Sequence, residues 1–264
     1  MVVTTTAYAG SSRRPAPPGL VVAVPWLLAG TTVAAQIAYP LVEGAWLQRV
    51  TVATVVLFFA TCVTHALVHR GRLFALGLVV VSAGGGLAAE AVGVRTGNPF
   101  GTYSYAGTLG PQVLDVPVVV PLAWTMMAYP VLLAARRLGR RWAPVVGGLG
   151  LMAWDMFLDP QMVGDGHWTW ADPTPALTAI PGIPLSNFAG WAAVGTVMML
   201  VLDRLLPREE ADELLPATLL GWTWLGYVIG NAFWFGTGSV AVAGGIALGL
   251  LVIPYCWVLW QSRP

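Results

Sequence analysis

Apolar stretches of about 20 residues follow one another along almost the whole chain, and each is long enough to span a bilayer. Charged residues make up only 9% of the sequence, whereas a soluble domain carries roughly 25%. Because backbone groups in hydrocarbon must bond to one another, these stretches are expected to be helices. The regular alternation that a transmembrane β-barrel requires is not seen. The sequence therefore predicts an all-α integral membrane protein.

Hydropathy predicts a bundle of about eight transmembrane helices, with seven as the alternative. The spans are placed at residues 20–40, 49–68, 73–94, 113–135, 142–160, 184–204, 214–235 and 239–260. Residues 20–264 are expected to form a single transmembrane domain. Residues 1–19 are small, polar and proline-rich, which is typical of a disordered tail. We expect a multi-pass protein of the cell membrane, with the lipid bilayer as its surroundings.

The arginines predict the orientation of the bundle. With the N-terminus inside, the outer segments hold only Arg49 and Arg95. The inner segments hold Arg13, Arg14, Arg70, Arg72, Arg136, Arg137, Arg140, Arg141, Arg204, Arg208 and Arg263. This is a strong positive-inside bias, so both termini are predicted to be cytoplasmic. The net charge of +1 gives no basic footprint for nucleic acid, which we exclude as a partner.

Two outer loops, residues 97–112 and 161–187, have an unusual composition. Both are rich in Gly, Pro and aromatic residues and lack arginine, apart from Arg95 at the edge of the first. Ordinary solvated loops are more charged, and Trp and Tyr favour the membrane interface. We therefore expect these loops to fold back onto the bundle or to lie in the interface.

Asp155 and Asp159 are the first candidates for chemistry. Their i, i+4 spacing places both carboxyls on one helix face near the outer end of span five. Burial and a like-charged neighbour both favour the neutral form of a carboxyl, so one of the pair could hold a proton at neutral pH. A structural alternative is that they cap backbone groups near Pro160 or pair with Arg95. Carboxyls within spans more often mark functional sites, which favours chemistry.

Glu90 is expected at the same outer level, after a run of glycines that would let a neighbouring helix approach closely. It could serve the same site or simply pair with Arg95. Asp115, predicted at the start of span four, either lines the site or favours the positive end of its helix.

Other polar residues at this level have equally plain alternatives. Asn187 and Asn231 could orient a carboxyl or a water, or merely satisfy backbone groups. His167 could relay protons, since its unperturbed pKa is about 6.5, or could be an interface residue. His65, towards the inner side, is interpreted as a helix-to-helix hydrogen-bonding residue.

We find no P-loop, dinucleotide fingerprint or Cys/His metal spacing, so no cofactor and no metal are expected.

Four stretches carry a resemblance to a known family: 90–105 (EAVGVRTGNPFGTYSY), 116–124 (VPVVVPLAW), 153–170 (AWDMFLDPQMVGDGHWTW) and 181–191 (PGIPLSNFAGW). They are similar to the membrane carotenoid biosynthesis proteins, a family that includes carotenoid hydratases of the bisanhydrobacterioruberin hydratase and γ-carotene 1′,2′-hydratase type. The resemblance covers roughly residues 20–260. It implies addition of water to the terminal C=C bond of an acyclic carotenoid such as lycopene, giving a tertiary alcohol.

This implied reaction agrees with the candidate residues. Markovnikov hydration needs an acid that protonates the less substituted carbon, a dry and electron-rich surround for the tertiary cation, and a base for the attacking water. We assign Asp155 or Asp159 as proton donor, and the partner carboxyl or Glu90 as the group that activates water. The end-group pocket is expected to be lined by Tyr103, Tyr105, Trp168 and Trp191. The resemblance thus implies a cofactor-independent hydro-lyase whose substrate is an acyclic polyene. The enzyme would act alone or together with other carotenoid enzymes.

Three other readings stay open from the sequence. A carotenoid cyclase or end-group isomerase would use the same acid but lose a proton instead of adding water. A transporter or lipid-binding protein would use the carboxyls for a cation or a proton relay, although no inverted repeat is found. A non-catalytic scaffold for pigment enzymes would tolerate loss of the carboxyls.

Overall fold

The computed structural model describes residues 19–262 of the chain. Within this range the fold is α-helical, which confirms the predicted class. The eight helices are α1 (Gly19–Ala38), α2 (Gly44–Arg70), α3 (Arg72–Thr96), α4 (Val119–Gly139), α5 (Ala143–Gly164), α6 (Leu185–Leu205), α7 (Leu214–Phe233) and α8 (Gly238–Gln261). The tail predicted over residues 1–19 lies, apart from Gly19, outside the described residues.

Most of these helices qualify as membrane spans. Six continuous helical segments are long and apolar enough to cross a bilayer, and one of them, Val119–Gly164, contains both α4 and α5. Seven helices are therefore candidate spans among the described residues. Helix α7 is not among them, because its Trp, Thr, Gly and Asn residues interrupt the apolar run. Crossing by all eight helices and cytoplasmic termini remain predictions.

Helix α4 lies at the centre of the bundle. Ten consecutive residues, Met126–Ala135, are all buried. The peripheral helices, in contrast, expose large apolar side chains such as Leu27, Leu73 and Leu250, each more than two thirds exposed. An apolar outer surface of this extent is expected only where lipid or another protein covers it. The burial pattern thus agrees with a bundle that is solvated by a bilayer.

Glycines set the closest helix contact. A Cβ added at Gly195 on α6 would lie 3.1 Å from the Cα of Gly148 on α5. In lipid, where no hydrophobic force drives helices together, such small residues let backbones approach and gain van der Waals contact. The crossing fixes the position of α5, which carries both aspartates, against α6, which carries Asn187.

Six short strands, all at one end of the bundle, order the loops between helices. They are β1 (Tyr103–Tyr105), β2 (Gln112–Val113), β3 (Val116–Pro117), β4 (Trp168–Trp170), β5 (Ala176–Leu177) and β6 (Ile180–Pro184). Strands β1 and β4 pair antiparallel, with Tyr103 opposite Trp170 and Tyr105 opposite Trp168. The two aromatic loops are thereby joined over the bundle, which confirms that they fold back onto it. We call this end the strand end.

The predicted start of span four at residue 113 is wrong by several residues. Strands β2 and β3 form a hairpin there, and α4 begins only at Val119. Leu114 and Asp115 make the turn with φ of 55° and 69°, a left-handed conformation that a helix cannot contain. Asp115 is consequently not at a helix N-terminus.

The opposite end of the bundle, which we call the arginine end, is fastened by ion pairs. Arg136 Nε lies 2.9 Å from Asp203 Oδ1, and Arg208 Nη2 lies 2.7 Å from Asp203 Oδ2. Arg70 and Arg137 both pair with a second carboxylate, that of Glu213, at 3.4 and 3.1 Å. These contacts tie α2, α4 and α6 to the connection that precedes α7.

Candidate active site: a carboxyl cluster under the loops

Glu90, near the strand end of α3, is buried and accepts three hydrogen bonds. Tyr103 Oη and Tyr105 Oη donate to its Oε2 at 2.5 and 2.9 Å. Trp124 Nε1, on α4, donates to its Oε1 at 3.1 Å. An ionised carboxylate can only accept hydrogen bonds, and the arrangement around Glu90 has this pattern.

The two tyrosines belong to β1, outside the spans, and they serve as donors. Burial, together with the negative charge of Glu90, raises the pKa of Tyr103 and of Tyr105 well above the ordinary value. Both hydroxyls therefore keep their protons and remain available to the carboxylate. The loop that carries β1 thus completes the environment of a residue that is buried in the bundle.

Asp155 and Asp159 both accept hydrogen bonds from the side-chain amide of Asn187. Asn187 Nδ2, in the first turn of α6, donates to Asp155 Oδ2 at 2.7 Å and also to Asp159 Oδ2. Trp168 Nε1, from β4, donates to Asp159 Oδ1 at 3.1 Å. The two carboxyls also interact directly with one another. The predicted placement of both aspartates on one helix face is confirmed, and Asn187 connects them to α6.

One oxygen of this cluster lacks a partner. Asp155 Oδ1 is buried and has no hydrogen-bond partner among residues 19–262. A buried polar atom without a partner is costly and calls for an explanation such as a proton, a water or a ligand. The cluster therefore has capacity for one more hydrogen bond.

A cavity of about 60 Å³ lies between Glu90 and the aspartate pair. Glu90 lines one part of it and Asp159 another, with Asn187 beside them. Most of the wall is aromatic or aliphatic: Val55, Phe100, Tyr103, Tyr105, Val120, Trp124, Leu158, Trp168, Trp170 and Trp191 line it. Carboxyls from separate helices thus share one apolar, aromatic cavity.

A second, larger cavity of about 150 Å³ adjoins the first. Thr51, Val55, Leu158 and Met162 line both. Its remaining wall is formed mainly by α2, α5 and α7, including Phe58, Trp154 and Trp222, together with Gln36 of α1 and with Phe235 after α7. The two cavities therefore share part of their walls beside the carboxyls.

Two tryptophans organise the wall of the first cavity. The rings of Trp124 and Trp191 are stacked, with centroids 3.9 Å apart and planes 8° apart. Gly86 on α3 makes room for this stack, since a Cβ there would lie 2.6 Å from Trp124 Cγ. The glycine run was predicted to admit a neighbouring helix, and the close approach is to the Trp124 side chain.

Asp155 reaches the cavity only through its contacts with Asp159 and Asn187, and three other predicted site residues, Asp115, Asn231 and His167, do not line it. Asp115 is exposed in the hairpin turn, where it pairs with Arg95 at 3.2 Å. Asn231 accepts a hydrogen bond from Thr237 and donates to the carbonyl of Tyr227, so it fixes the end of α7. A pairing of Arg95 with Glu90 or with the two aspartates was the structural alternative. Among the described residues Arg95 instead pairs with Asp115.

His167 lies beside the site but not in its wall. Its Nδ1 is 2.7 Å from Thr108 Oγ1, and its ring is buried. Burial lowers the pKa of His167, although nearby Asp165 acts in the opposite direction. A neutral, buried His167 fits a role in joining the two loops better than a proton relay.

Sequence reasoning missed the role of Trp124. It stands in the resembling stretch 116–124, but a Trp inside a span is more often filler, and no pattern linked it to Glu90. The residues of the second cavity were missed for the same reason, because apolar positions of four helices carry no shared signal in the sequence.

The fold and this geometry define a polytopic membrane protein with a buried acidic site under aromatic loops. The family model described as "Carotenoid biosynthesis protein" matches residues 50–254. The chain belongs to this carotenoid biosynthesis family, as the four stretches of resemblance predicted. Bisanhydrobacterioruberin hydratase of Haloarcula japonica is 37% identical over 123 residues, which are 43% of this chain and 40% of that protein. The match thus spans less than half of that relative's length, and no solved structure matches the chain.

Proposed function

We propose that this protein is a carotenoid hydratase, which adds water to the terminal C=C bond of an acyclic carotenoid end group. The observation that carries the proposal is the cavity whose aromatic wall contains both Glu90 and Asp159, with Asp155 in contact with Asp159 behind it. The similarity to a protein named bisanhydrobacterioruberin hydratase supports the same reaction class.

The two cavities suit a long apolar substrate with a reactive end. In the proposed arrangement the end group lies in the first cavity, near Asp159, and the polyene that follows extends into the second. Trp154 and Phe58 contribute flat apolar surface to the second cavity. The two cavities, of about 60 and 150 Å³, are smaller than a whole ligand site of roughly 300–1,000 Å³, so the rest of the polyene would extend into the lipid.

The Asp155–Asp159 pair is the proposed acid. Two carboxyls in contact in a low-dielectric site cannot both be ionised without strong repulsion, so together they hold a proton. Asp159, which lines the cavity, transfers this proton to the less substituted carbon of the terminal C=C bond. The π electrons form the new C–H bond, and a tertiary cation remains on the neighbouring carbon.

Water completes the reaction on the side of Glu90. The aromatic wall of Trp124, Trp191 and Trp168 stabilises the cation, because ring faces attract positive charge. A water oxygen forms the C–O bond, and Glu90 accepts the proton that this water loses. Transfer of a proton back to the aspartate pair closes the cycle, so the net change is the addition of one water.

The product of the reaction distinguishes hydration from its alternatives. We would produce the protein in a carotenoid-forming bacterial host grown in water enriched in the heavy oxygen isotope, and analyse the pigments by mass. A hydratase gives a product heavier by one water that carries the heavy oxygen. A product isomeric with its precursor would instead identify a cyclase or isomerase and would contradict the proposal.

Variants of the pair test the site in the same experiment. Asp155→Asn and Asp159→Asn should each abolish most of the hydrated product at normal protein levels, since general acid–base help is worth about 10²–10⁴-fold. Asp115→Asn is the matched control, because the same change is made at an exposed carboxyl outside the cavity. Full hydration by both pair variants would refute the assignment.

A further inference from the structure

A cluster of metal-ligand side chains lies at the arginine end, away from the carboxyl cavity. His65 and His69 are one turn apart on α2, and Asp212 lies in the connection between α6 and α7. One ligand atom from each of the three residues lies within 4.8 Å of the others. Two imidazoles and a carboxylate form a donor set that zinc and related divalent metals prefer.

The hydrogen bonding of His65 leaves one nitrogen for a ligand. His65 is 1% exposed, and its Nδ1 lies 2.9 Å from Tyr129 Oη. Its Nε2 is buried and has no hydrogen-bond partner among the described residues. Metal-binding histidines characteristically have one ring nitrogen held by such a second group while the other binds the metal.

Tyr129 is itself held in position. Arg70 Nε donates to Tyr129 Oη at 3.3 Å, so this oxygen can also accept from His65 Nδ1–H. That tautomer places a lone pair on Nε2, the unpartnered atom. The neutral imidazole with a lone pair on Nε2 is the form that binds a metal.

His69 and Asp212 complete the set from more accessible positions. The His69 ring stacks on the His65 ring, with centroids 4.3 Å apart. His69 is half-buried and Asp212 is exposed. Because zinc bonds to nitrogen and oxygen are about 2.0–2.2 Å long, the donors must move closer by about 1 Å. Asp212 lies on the connection between helices, where its Oδ1 accepts a hydrogen bond from Leu214 N at 2.7 Å, so Oδ2 is the oxygen that would bind the metal.

The charge near the cluster also suits a cation. The connection carries four acidic residues: Glu209, Glu210, Asp212 and Glu213. Arg70 is the cation that would oppose a metal, but it pairs with Glu213, and both side chains are at least nine-tenths buried. The positive charge of Arg70 is therefore compensated within the protein.

We propose that His65, His69 and Asp212 bind one divalent transition metal ion of the zinc type, which fastens the α6–α7 connection to α2. The proposal is independent of the hydratase proposal, because the site lies at the other end of the bundle. Sequence motifs missed it, since the third ligand lies far along the chain from the two histidines. A role of His65 in a helix-to-helix hydrogen bond is observed as well, through Tyr129.

Metal binding can be measured without any carotenoid. The full chain, purified in detergent with an affinity tag that lacks histidine, is stripped with a chelator and titrated with Zn²⁺ by calorimetry. Co²⁺ serves as a second probe through its visible absorption. We expect one Zn²⁺ per chain, and a higher unfolding temperature in its presence.

Variants locate the site. His69→Gln and Asp212→Asn should lose stoichiometric binding, and Tyr129→Phe should weaken it about 10–100-fold with all ligands retained. His167→Gln is the matched control, because it removes a buried histidine at the strand end and should bind Zn²⁺ as the wild type does. The proposal is overturned if the wild type binds no stoichiometric Zn²⁺, or if His69→Gln and Asp212→Asn bind it unchanged.

Discussion

The strand end and the arginine end of the bundle both hold carboxylates that are largely removed from solvent, and they differ in what neutralises them. At the arginine end, Asp203 and Glu213 each contact two guanidinium groups. At the strand end, Glu90, Asp155 and Asp159 receive hydrogen bonds from Tyr, Trp and Asn side chains. Within residues 19–262, no arginine forms an ion pair with these three.

The difference indicates what each cluster is for. A buried carboxylate that is paired with arginine is electrostatically compensated and serves to join helices. Unpaired carboxyls in an apolar environment are expensive, and such residues usually have a functional reason. Glu90 and Asp159 also line a cavity, whereas Asp203 and Glu213 join neighbouring elements through their arginines. We therefore expect substitutions at the two ends to affect different properties.

The largest effect is expected for Glu90→Gln, which tests the catalytic side of the comparison. The amide keeps the size of the side chain but cannot accept the proton of the attacking water. Turnover should fall about 10²–10⁴-fold, with the amount of folded protein little changed. Turnover is measured as hydrated carotenoid formed per mole of purified protein, and a variant with wild-type turnover would remove Glu90 from the mechanism.

The next effect in size concerns the stability of the arginine end. Arg70→Met leaves Glu213 with fewer partners in a buried position, and loss of one member of a buried pair costs about 3–5 kcal/mol. The free energy of unfolding in detergent measures this cost, with Arg72→Met as the control at the exposed neighbouring arginine. Equal stability of the two variants would mean that the buried pairs do not hold this end together.

A smaller effect is expected where the glycine run contacts the cavity wall. Gly86→Ala places a Cβ 2.6 Å from Trp124 Cγ and must displace a ring that also donates to Glu90. Overpacking of this kind costs about 1–3 kcal/mol, and turnover should fall with it. Gly84→Ala, on the same helix with no atom within 4 Å of the added Cβ, should have neither effect. Similar behaviour of the two alanine variants would argue against a tightly fixed Trp124.

The smallest effect is expected at the exposed ion pair of the strand end. Arg95 and Asp115 are 54% and 66% exposed, and such surface pairs contribute about 0–1 kcal/mol. Arg95→Gln should therefore change the free energy of unfolding by less than about 1 kcal/mol and leave hydration intact. A large loss of stability would show that exposed and buried pairs do not differ as described.

Much of this picture followed from the sequence, because bilayer physics constrains it strongly. The helical spans came from apolar length, and the level of Glu90, Asp155 and Asp159 followed from the positions of these residues within their spans. The loop contacts were harder to specify, since composition predicts that Tyr103 and Trp168 avoid water but does not give their partners.

The misplaced and missed residues depend on three-dimensional contacts. The turn at Asp115 breaks the start of α4, although the surrounding residues are apolar enough to read as a span. Trp124 belongs to the site because its indole N–H donates to Glu90, which lies on another helix. Asp212 joins His65 and His69 only because the α6–α7 connection folds across the end of α2.

A paired comparison of Asp159→Asn and Asp203→Asn tests the central claim most directly, because the same change is made at one carboxyl of each end. Turnover per folded molecule and free energy of unfolding are measured for both. We predict that Asp159→Asn loses about 10²–10⁴-fold in turnover at near-normal stability, while Asp203→Asn, which removes the shared partner of Arg136 and Arg208, loses about 1–3 kcal/mol of stability at normal turnover. If Asp159→Asn hydrates as well as Asp203→Asn does per folded molecule, the strand-end carboxyls are not the catalytic groups.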